Sequence, residues 1–135
     1  MSDHIEWKDE YSLGIDILDN QHRQFLELMD QAYTAFYKKE SKEELGILLS
    51  DLKDYTYLHF STEEKYFDLF HYELKDMHIE YHTKLKEQLA VLMKNFEIKG
   101  LDTVPALVDF LENWLVVHLE HEDKKYVRCF KEHGL

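Results

Sequence analysis

Seven polar or ionisable residues fall where a helical reading of this chain calls for apolar ones. His22, His59, Glu63, His78, His82, His118 and Asp123 sit on stripes whose other members are apolar and recur every three or four residues, the pattern of a helix face turned toward a core. An unpaired buried carboxylate costs on the order of several kcal/mol, against a total domain stability of about 5–15 kcal/mol. Two acids and five imidazoles on core stripes are tolerable when a cation holds them. The chain therefore reads as a helical bundle built round a metal site.

The bulk properties fit that reading and narrow the classes. A length of 135 residues gives one domain with room for a single core. Four glycines and one proline leave little material for turns, so the elements are few and long, and helix formers dominate. The fold class expected is all-α. A formal net charge of −12 repels a phosphate backbone and argues against nucleic-acid binding. No apolar run approaches the roughly 18 residues of a membrane span; Trp114-Leu115-Val116-Val117 is among the longest. The first residues, Met1-Ser2-Asp3-His4, do not open a signal peptide, and the single Cys129 excludes an internal disulfide or a cysteine-held cluster. A cytoplasmic protein is the expectation.

An arm over about residues 1–15 carries Trp7, Tyr11, Leu13 and Ile15 as anchors, and Gly14 lets it turn. Asp16 is the expected N-cap of a helix over about 17–38, with Asp19 placed to favour its first turn and Leu18, His22, Phe25, Met29, Ala32 and Phe36 facing inward. Ser41-Lys42-Glu43-Glu44 is a capping-box signature. It opens a helix over about 42–69 whose stripe runs from Leu45 through His59 and Glu63 to Phe67. Glu64, a neighbour of Glu63, points roughly 100° away and reads as solvated. A third helix over about 74–97 carries Leu74, His78, Tyr81, His82, Leu85, Leu89, Leu92 and Phe96, and Gly100 offers a left-handed cap. Asp102 or Thr103 caps a fourth helix over about 104–128, with Pro105 in its first turn and Leu107, Leu111, Trp114, Leu115, His118, Leu119 and Asp123 inward. The stretch 124–135 reads as a charged, frayed tail.

Short connections give antiparallel neighbours, hence an up-down-up-down four-helix bundle. In that topology the start of the first helix, the end of the second, the start of the third and the end of the fourth share one end of the bundle. All seven groups then fall at one level. His59 and Glu63, like His78 and His82, are four apart and stack on one helix face. The five-residue step from His118 to Asp123 turns about 140° round an α-helix, which suits a carboxylate reaching across between two ions. A lone core histidine is more often a satisfied structural residue than a ligand, and His4, His71, His121 and His133 take that plain reading as terminal, loop or surface groups. Five imidazoles and two carboxylates without a thiolate suit iron, manganese or zinc. They exceed the needs of one tetrahedral zinc, so two ions are expected. With both carboxylates and a solvent oxygen shared, three histidines complete one ion and two leave the other an open position for a small diatomic molecule. The Glu-x-x-His motif of carboxylate-rich di-iron enzymes is absent: no histidine has Glu three residues before it.

These residues resemble a known family. Trp7, Gly14-Ile15-Asp16, Asp19, Gln21-His22, His59-Phe60-Ser61-Thr62-Glu63-Glu64, His78-Ile79-Glu80-Tyr81-His82 and the run Trp114 to Tyr126 are similar to the motifs of the hemerythrins, and among them the single-domain bacteriohemerythrins. The resemblance implies the same four-helix bundle, of which myohemerythrin is itself a standard example. It implies a non-heme di-iron centre that binds O2 reversibly. His78, His82 and His118 would hold a six-coordinate iron, and His22 and His59 a five-coordinate iron where O2 binds. Glu63 and Asp123 would bridge. Phe25, Phe60, Trp114, Leu115 and Leu119 match the family's apolar pocket wall, although each also reads as ordinary core. The loop His71-Tyr72-Glu73 departs from the Gly-Tyr-Pro of many bacterial members and shares only Tyr72.

Three functions compete on this reading. The first is an O2 carrier, store or donor to an oxygen-using enzyme, working as a monomer and not an enzyme itself. The second is an oxygen or redox sensor. The third, an enzyme acting on peroxide or NO, is disfavoured by the missing Glu-x-x-His.

Overall fold

The structure, a computed structural model, describes residues 7–38 and 41–135, and the side chains within them other than those of Glu10, Leu115, Val116, Leu119 and Glu120. His4 and the first six residues of the arm lie outside this description. Four long rods run antiparallel: α1 (Asp16–Lys38), α2 (Lys42–Phe70), α3 (Lys75–Lys99) and a fourth that opens as α4 (Val104–Asn113). The fold is all-α, a four-helix bundle. No helix among the described residues is long and apolar enough to cross a membrane.

The helix starts show local chemistry at work. At α2 the Glu44 amide donates to Ser41 Oγ at 3.2 Å, the first bond of a capping box, and the Glu44 carboxylate turns back to accept from the Ser41 hydroxyl at 3.0 Å. At α1 the expected cap is corrected. Asp16 is exposed and already helical, while Asp19 reaches back to accept from the Leu13 amide at 2.7 Å and the Ser12 hydroxyl at 2.6 Å. That clasp ties the arm to the helix, with Gly14 between them at φ +71°. Neither Asp102 nor Thr103 caps α4 through its side chain; a 3-10 turn over Gly100–Thr103 leads straight in. Gly100 has positive φ but ψ −128°, outside the left-handed helical region and open at low cost only to glycine.

The fourth rod is not one α-helix over 104–128. After Asn113 it widens to a π-helix over Trp114–Glu122, tightens to a 3-10 turn over Asp123–Tyr126, and resumes as α5 (Val127–Glu132). The C-terminal stretch is packed, not frayed, because Tyr126 and Phe130 are completely buried. With Leu13, Ile15, Leu18, Phe67 and Tyr72 they form a small core at one end of the bundle. A larger core, from Phe25 and Phe60 to Leu92 and Trp114, fills the rest. Two described stripe positions turn out exposed, Phe36 and Leu74, both near rod ends. The polar groups lie between the two cores.

Candidate metal centre

Each rod brings its polar residues to the same depth. His22 comes from the second turn of α1, His59 and Glu63 from the later half of α2, His78 and His82 from the first turns of α3, and His118 from the π segment with Asp123 just after it. All seven are at most 3% exposed. The π-helix explains the five-residue step. The Asp123 amide donates to the His118 carbonyl, an i to i−5 bond, so the wider turn stacks these two residues much as a step of four stacks them in an α-helix. The 140° offset expected from α-helical geometry is removed by the backbone itself.

The imidazoles are aimed. His22 Nδ1 donates to the Tyr11 carbonyl at 2.8 Å, His59 Nδ1 to Gln21 Oε1 at 2.7 Å, and His82 Nδ1 to Glu64 Oε2 at 2.8 Å. A proton held at Nδ1 leaves the Nε2 lone pair free, the arrangement that orients metal-binding histidines. Gln21 is fixed in turn, donating to Thr62 Oγ1 at 3.0 Å. Glu64 thus corrects the expectation of a solvated side chain. It leans into the gap between α2 and α3 and steers His82.

The Nε2 atoms converge on the two carboxylates. Asp123 Oδ2 is 3.0 Å from His22 Nε2 and 3.2 Å from His59 Nε2, whereas Asp123 Oδ1 is 3.0 Å from His118 Nε2 and 3.5 Å from His78 Nε2. One carboxylate thereby sorts four imidazoles into two pairs. Glu63 sorts less cleanly: its Oε1 is 2.9 Å from His82 Nε2, 3.4 Å from His59 Nε2 and 3.5 Å from His118 Nε2, and its Oε2 is 3.8 Å from His78 Nε2. Both Glu63 oxygens, Asp123 Oδ1, and the Nε2 atoms of His78 and His82 are buried without a hydrogen-bond partner among the described residues. Orphaned buried acceptors facing one another are costly unless a cation lies between them. Two overlapping sets have ligand atoms close enough to share an ion: Glu63 with His78, His82 and His118, and His59 with Glu63, His118 and Asp123.

The electrostatics point the same way. Burial and the Asp123 charge push Glu63 upward, but the surrounding imidazoles outweigh them and hold it down to about 2. Burial likewise opposes ionisation of Asp123, yet His118, His22 and His59 keep it well below its ordinary value. His118 would be lowered by burial; the two carboxylates reverse this and push it up to about 10. His59, 3.4 Å from His118, is lowered by burial. Without a metal the cluster keeps its carboxylates charged and gathers a proton among its imidazoles. A metal ion would take that proton's place.

The sequence profile of the hemerythrin HHE cation binding domain matches residues 13–130, a span that contains all seven residues. The chain belongs to the hemerythrin family. It is similar to the bacteriohemerythrin of Clostridium acetobutylicum, 30% identical over 131 aligned positions that cover 90% of this chain and 97% of that one. The bacteriohemerythrin of Pseudomonas aeruginosa strain PAO1 is 29% identical, covering 92% of this chain and 80% of its own. A hemerythrin-like protein of Naegleria gruberi is 26% identical, with 90% of each covered. The buried His, Glu and Asp cluster makes this hemerythrin a metal-binding one in its chemistry.

Aromatic rings wrap the hemerythrin cluster. Phe60 stacks on His82 with ring centres 3.8 Å apart, Tyr55 on His59 at 5.6 Å and Tyr81 on His118 at 5.5 Å. Of the expected pocket wall, Phe25, Phe60 and Trp114 are fully buried, and both phenylalanines pack on Trp114; the side chains of Leu115 and Leu119 lie outside the described residues. His71, His121 and His133 stay on the surface, away from the cluster. The sequence reading missed the partners that orient the imidazoles. It missed Tyr126 as well, which is wholly buried beside Glu63 without an aligned hydrogen bond to it. Burial, then the Asp123 and Glu63 charges, push its phenol well above the ordinary value.

Proposed function

We propose that this chain is one hemerythrin-like unit that holds two iron ions and binds dioxygen reversibly, as a carrier, store or donor to an oxygen-using enzyme, not as an enzyme itself. The observation that carries the reading is the division of labour at Asp123: one oxygen faces His22 and His59, the other His78 and His118. A carboxylate placed so is suited to being shared by two ions. His78, His82 and His118 would hold one iron and His22 and His59 the other, with Glu63 and Asp123 common to both. The second iron would have one protein ligand fewer, and so room for a small molecule. A reduced iron pair supplies the two electrons that bound dioxygen needs.

The protein's part is to aim, to dry and to restrain. The Tyr11 carbonyl, Gln21 and Glu64 hold three imidazoles in register. Phe25, Phe60 and Trp114, buried completely, keep water from the cluster; a dry wall slows escape of reduced oxygen and so slows loss of the reduced state. The histidine-rich donor set gives less negative charge than a carboxylate-rich one, which favours release of oxygen over cleavage of its bond. The test is an absorption spectrum of anaerobically reduced, iron-loaded protein before and after air. The expected result is a visible charge-transfer band that vanishes when oxygen is removed and returns when it is readmitted, with two irons per chain. A band that does not reverse, or turnover of peroxide or NO, would overturn it.

A further inference from the structure

A basic groove runs along the seam of α2 and α3, on a chain of net charge −12. Lys53 and Tyr57 from α2 line it with Lys86, Met93 and Lys94 from α3, round a space of about 280 Å³ floored by buried Leu89. Its one carboxylate is Glu97, at the end away from the cluster. None of the three lysines forms an ion pair among the described residues. The next groove round the bundle, between α1 and α2, has the opposite sign, with Glu27, Asp51 and Asp54. Lysines left unpaired round an apolar floor suit an anionic group attached to a flat apolar body.

The groove also touches the metal cluster. Lys86 Nζ lies 4.9 Å from the centre of the exposed Tyr57 ring and 5.9 Å from that of Phe60. Phe60 in turn lies flat on His82, with ring planes 7° apart. One side chain therefore separates this basic surface from a candidate metal ligand. We propose that the α2–α3 groove is the docking site of a phosphate-bearing reduced flavin, which restores the reduced state of the centre. The inference rests on the di-iron reading given above. The flavin hydroquinone anion gives up two electrons, one for each ferric ion, by way of Phe60 and His82. It leaves as oxidised flavin and releases one proton to solvent. Its phosphate is held by Lys53 and Lys86, whose ammonium groups both lie by the Tyr57 ring, its flat ring lies over Leu89 toward Met93, and Lys94 adds positive charge at the far end.

The probe is flavin mononucleotide, with riboflavin, which lacks the phosphate, as its control. Titrated into iron-loaded protein at low ionic strength, flavin mononucleotide should bind saturably at one site, as read from quenching of its own fluorescence. Binding should be at least 10-fold tighter than that of riboflavin and should weaken as salt screens the lysines. The double variant Lys53→Gln, Lys86→Gln should lose about 10-fold in affinity with its thermal unfolding and iron content unchanged. In stopped-flow, photoreduced flavin mononucleotide should reduce the oxidised centre of this variant about 10-fold more slowly than wild type, while photoreduced riboflavin acts equally on both. Absence of saturable binding, an unchanged double variant, equal slowing with both flavins, or displacement by inorganic phosphate as effectively as by the nucleotide would each overturn the proposal. If the protein showed no reversible oxygen spectrum but bound the nucleotide through these lysines, the di-iron reading would fail and the groove would stand as a binding site. A normal oxygen spectrum without nucleotide binding would sink the groove alone.

Discussion

Removing the amide that aims His59 should weaken one metal ion and spare the other. Gln21 is 7% exposed and joins two groups, accepting from His59 Nδ1 at 2.7 Å and donating to Thr62 Oγ1 at 3.0 Å. In Gln21→Leu the His59 N–H loses its acceptor in a dry site, which costs about 1–3 kcal/mol. Metal-free protein can escape part of that cost, since the proton can move to Nε2 and be donated to Asp123 Oδ2, already 3.2 Å away. Loaded protein cannot, because Nε2 must face the ion. The loss therefore falls mainly on the loaded state, and at about 1.4 kcal/mol per factor of ten it amounts to roughly 10-fold to 100-fold in affinity. Glu64→Leu makes the matching change at His82, toward the smaller end because the Glu64 side chain is 29% exposed and partly screened. The assay is a two-step competition titration against a chelator. Gln21→Leu should weaken one step and Glu64→Leu the other. If both variants weakened the same step, the assignment of His59 and His82 to different ions would be wrong. If neither affinity moved while stability fell, these residues would be packing and nothing more.

Three further outcomes follow from the same geometry. In metal-free protein, Glu63 is held at about 2 against an ordinary 4.5, so its contribution to stability is complete above pH 4.5 and is lost as pH falls toward 2. His118 is raised to about 10 from 6.5, so its contribution is complete below pH 6.5 and is lost as pH rises through 10. Thermal unfolding of the metal-free protein should accordingly peak between pH 4.5 and 6.5, and loading with metal should abolish the alkaline decline; a metal-free optimum above pH 8 would contradict this. Phe60→Ala, at a fully buried site packed on His82 and Trp114, should cost about 3–5 kcal/mol in denaturant unfolding and hasten loss of the oxygenated spectrum. An unchanged decay rate would show that Phe60 does not guard the cluster. Deleting Glu122, which lies inside the five-residue step, should let the π turn close to α and raise the stability of metal-free protein while weakening metal binding. If metal affinity were retained, the π turn would be incidental to the site.

Much of the fold was legible in the chain because chain order and helical period alone bring the histidines to one level. Once helices of this length are joined by short turns, the early part of α1, the later part of α2, the early part of α3 and the later part of the fourth rod must share one level, and His22, His59, His78 and His118 go with them. The partners were not legible for a different reason. Glu64 points away from Glu63 on its own helix, and the wheel of α2 does not show that His82 of α3 waits in that direction. Tyr11 acts through its carbonyl, which carries no residue signature. Tyr126 and Phe130 continue the spacing that starts at Asp123, but the charges between them hid a buried face in what read as a tail.

The π turn is the instructive case. The step of five was plain in the sequence, and α-helical geometry turned it into an angle to be bridged by a long reach. The backbone takes the other course and inserts its extra residue into the helix, so that Asp123 comes round under His118. A π-helix is intrinsically less favourable than an α-helix, and such turns persist mostly where a site requires them. Here the requirement is visible: a regular α-helix with this sequence would swing Asp123 away from His118 and break up the two imidazole pairs that its oxygens sort. That cost falls in the rod whose carboxylate divides four histidines between its two oxygens. It is therefore set against metal binding directly, and a change that relieves it without loss of the ions would show that the cluster does not depend on where Asp123 stands.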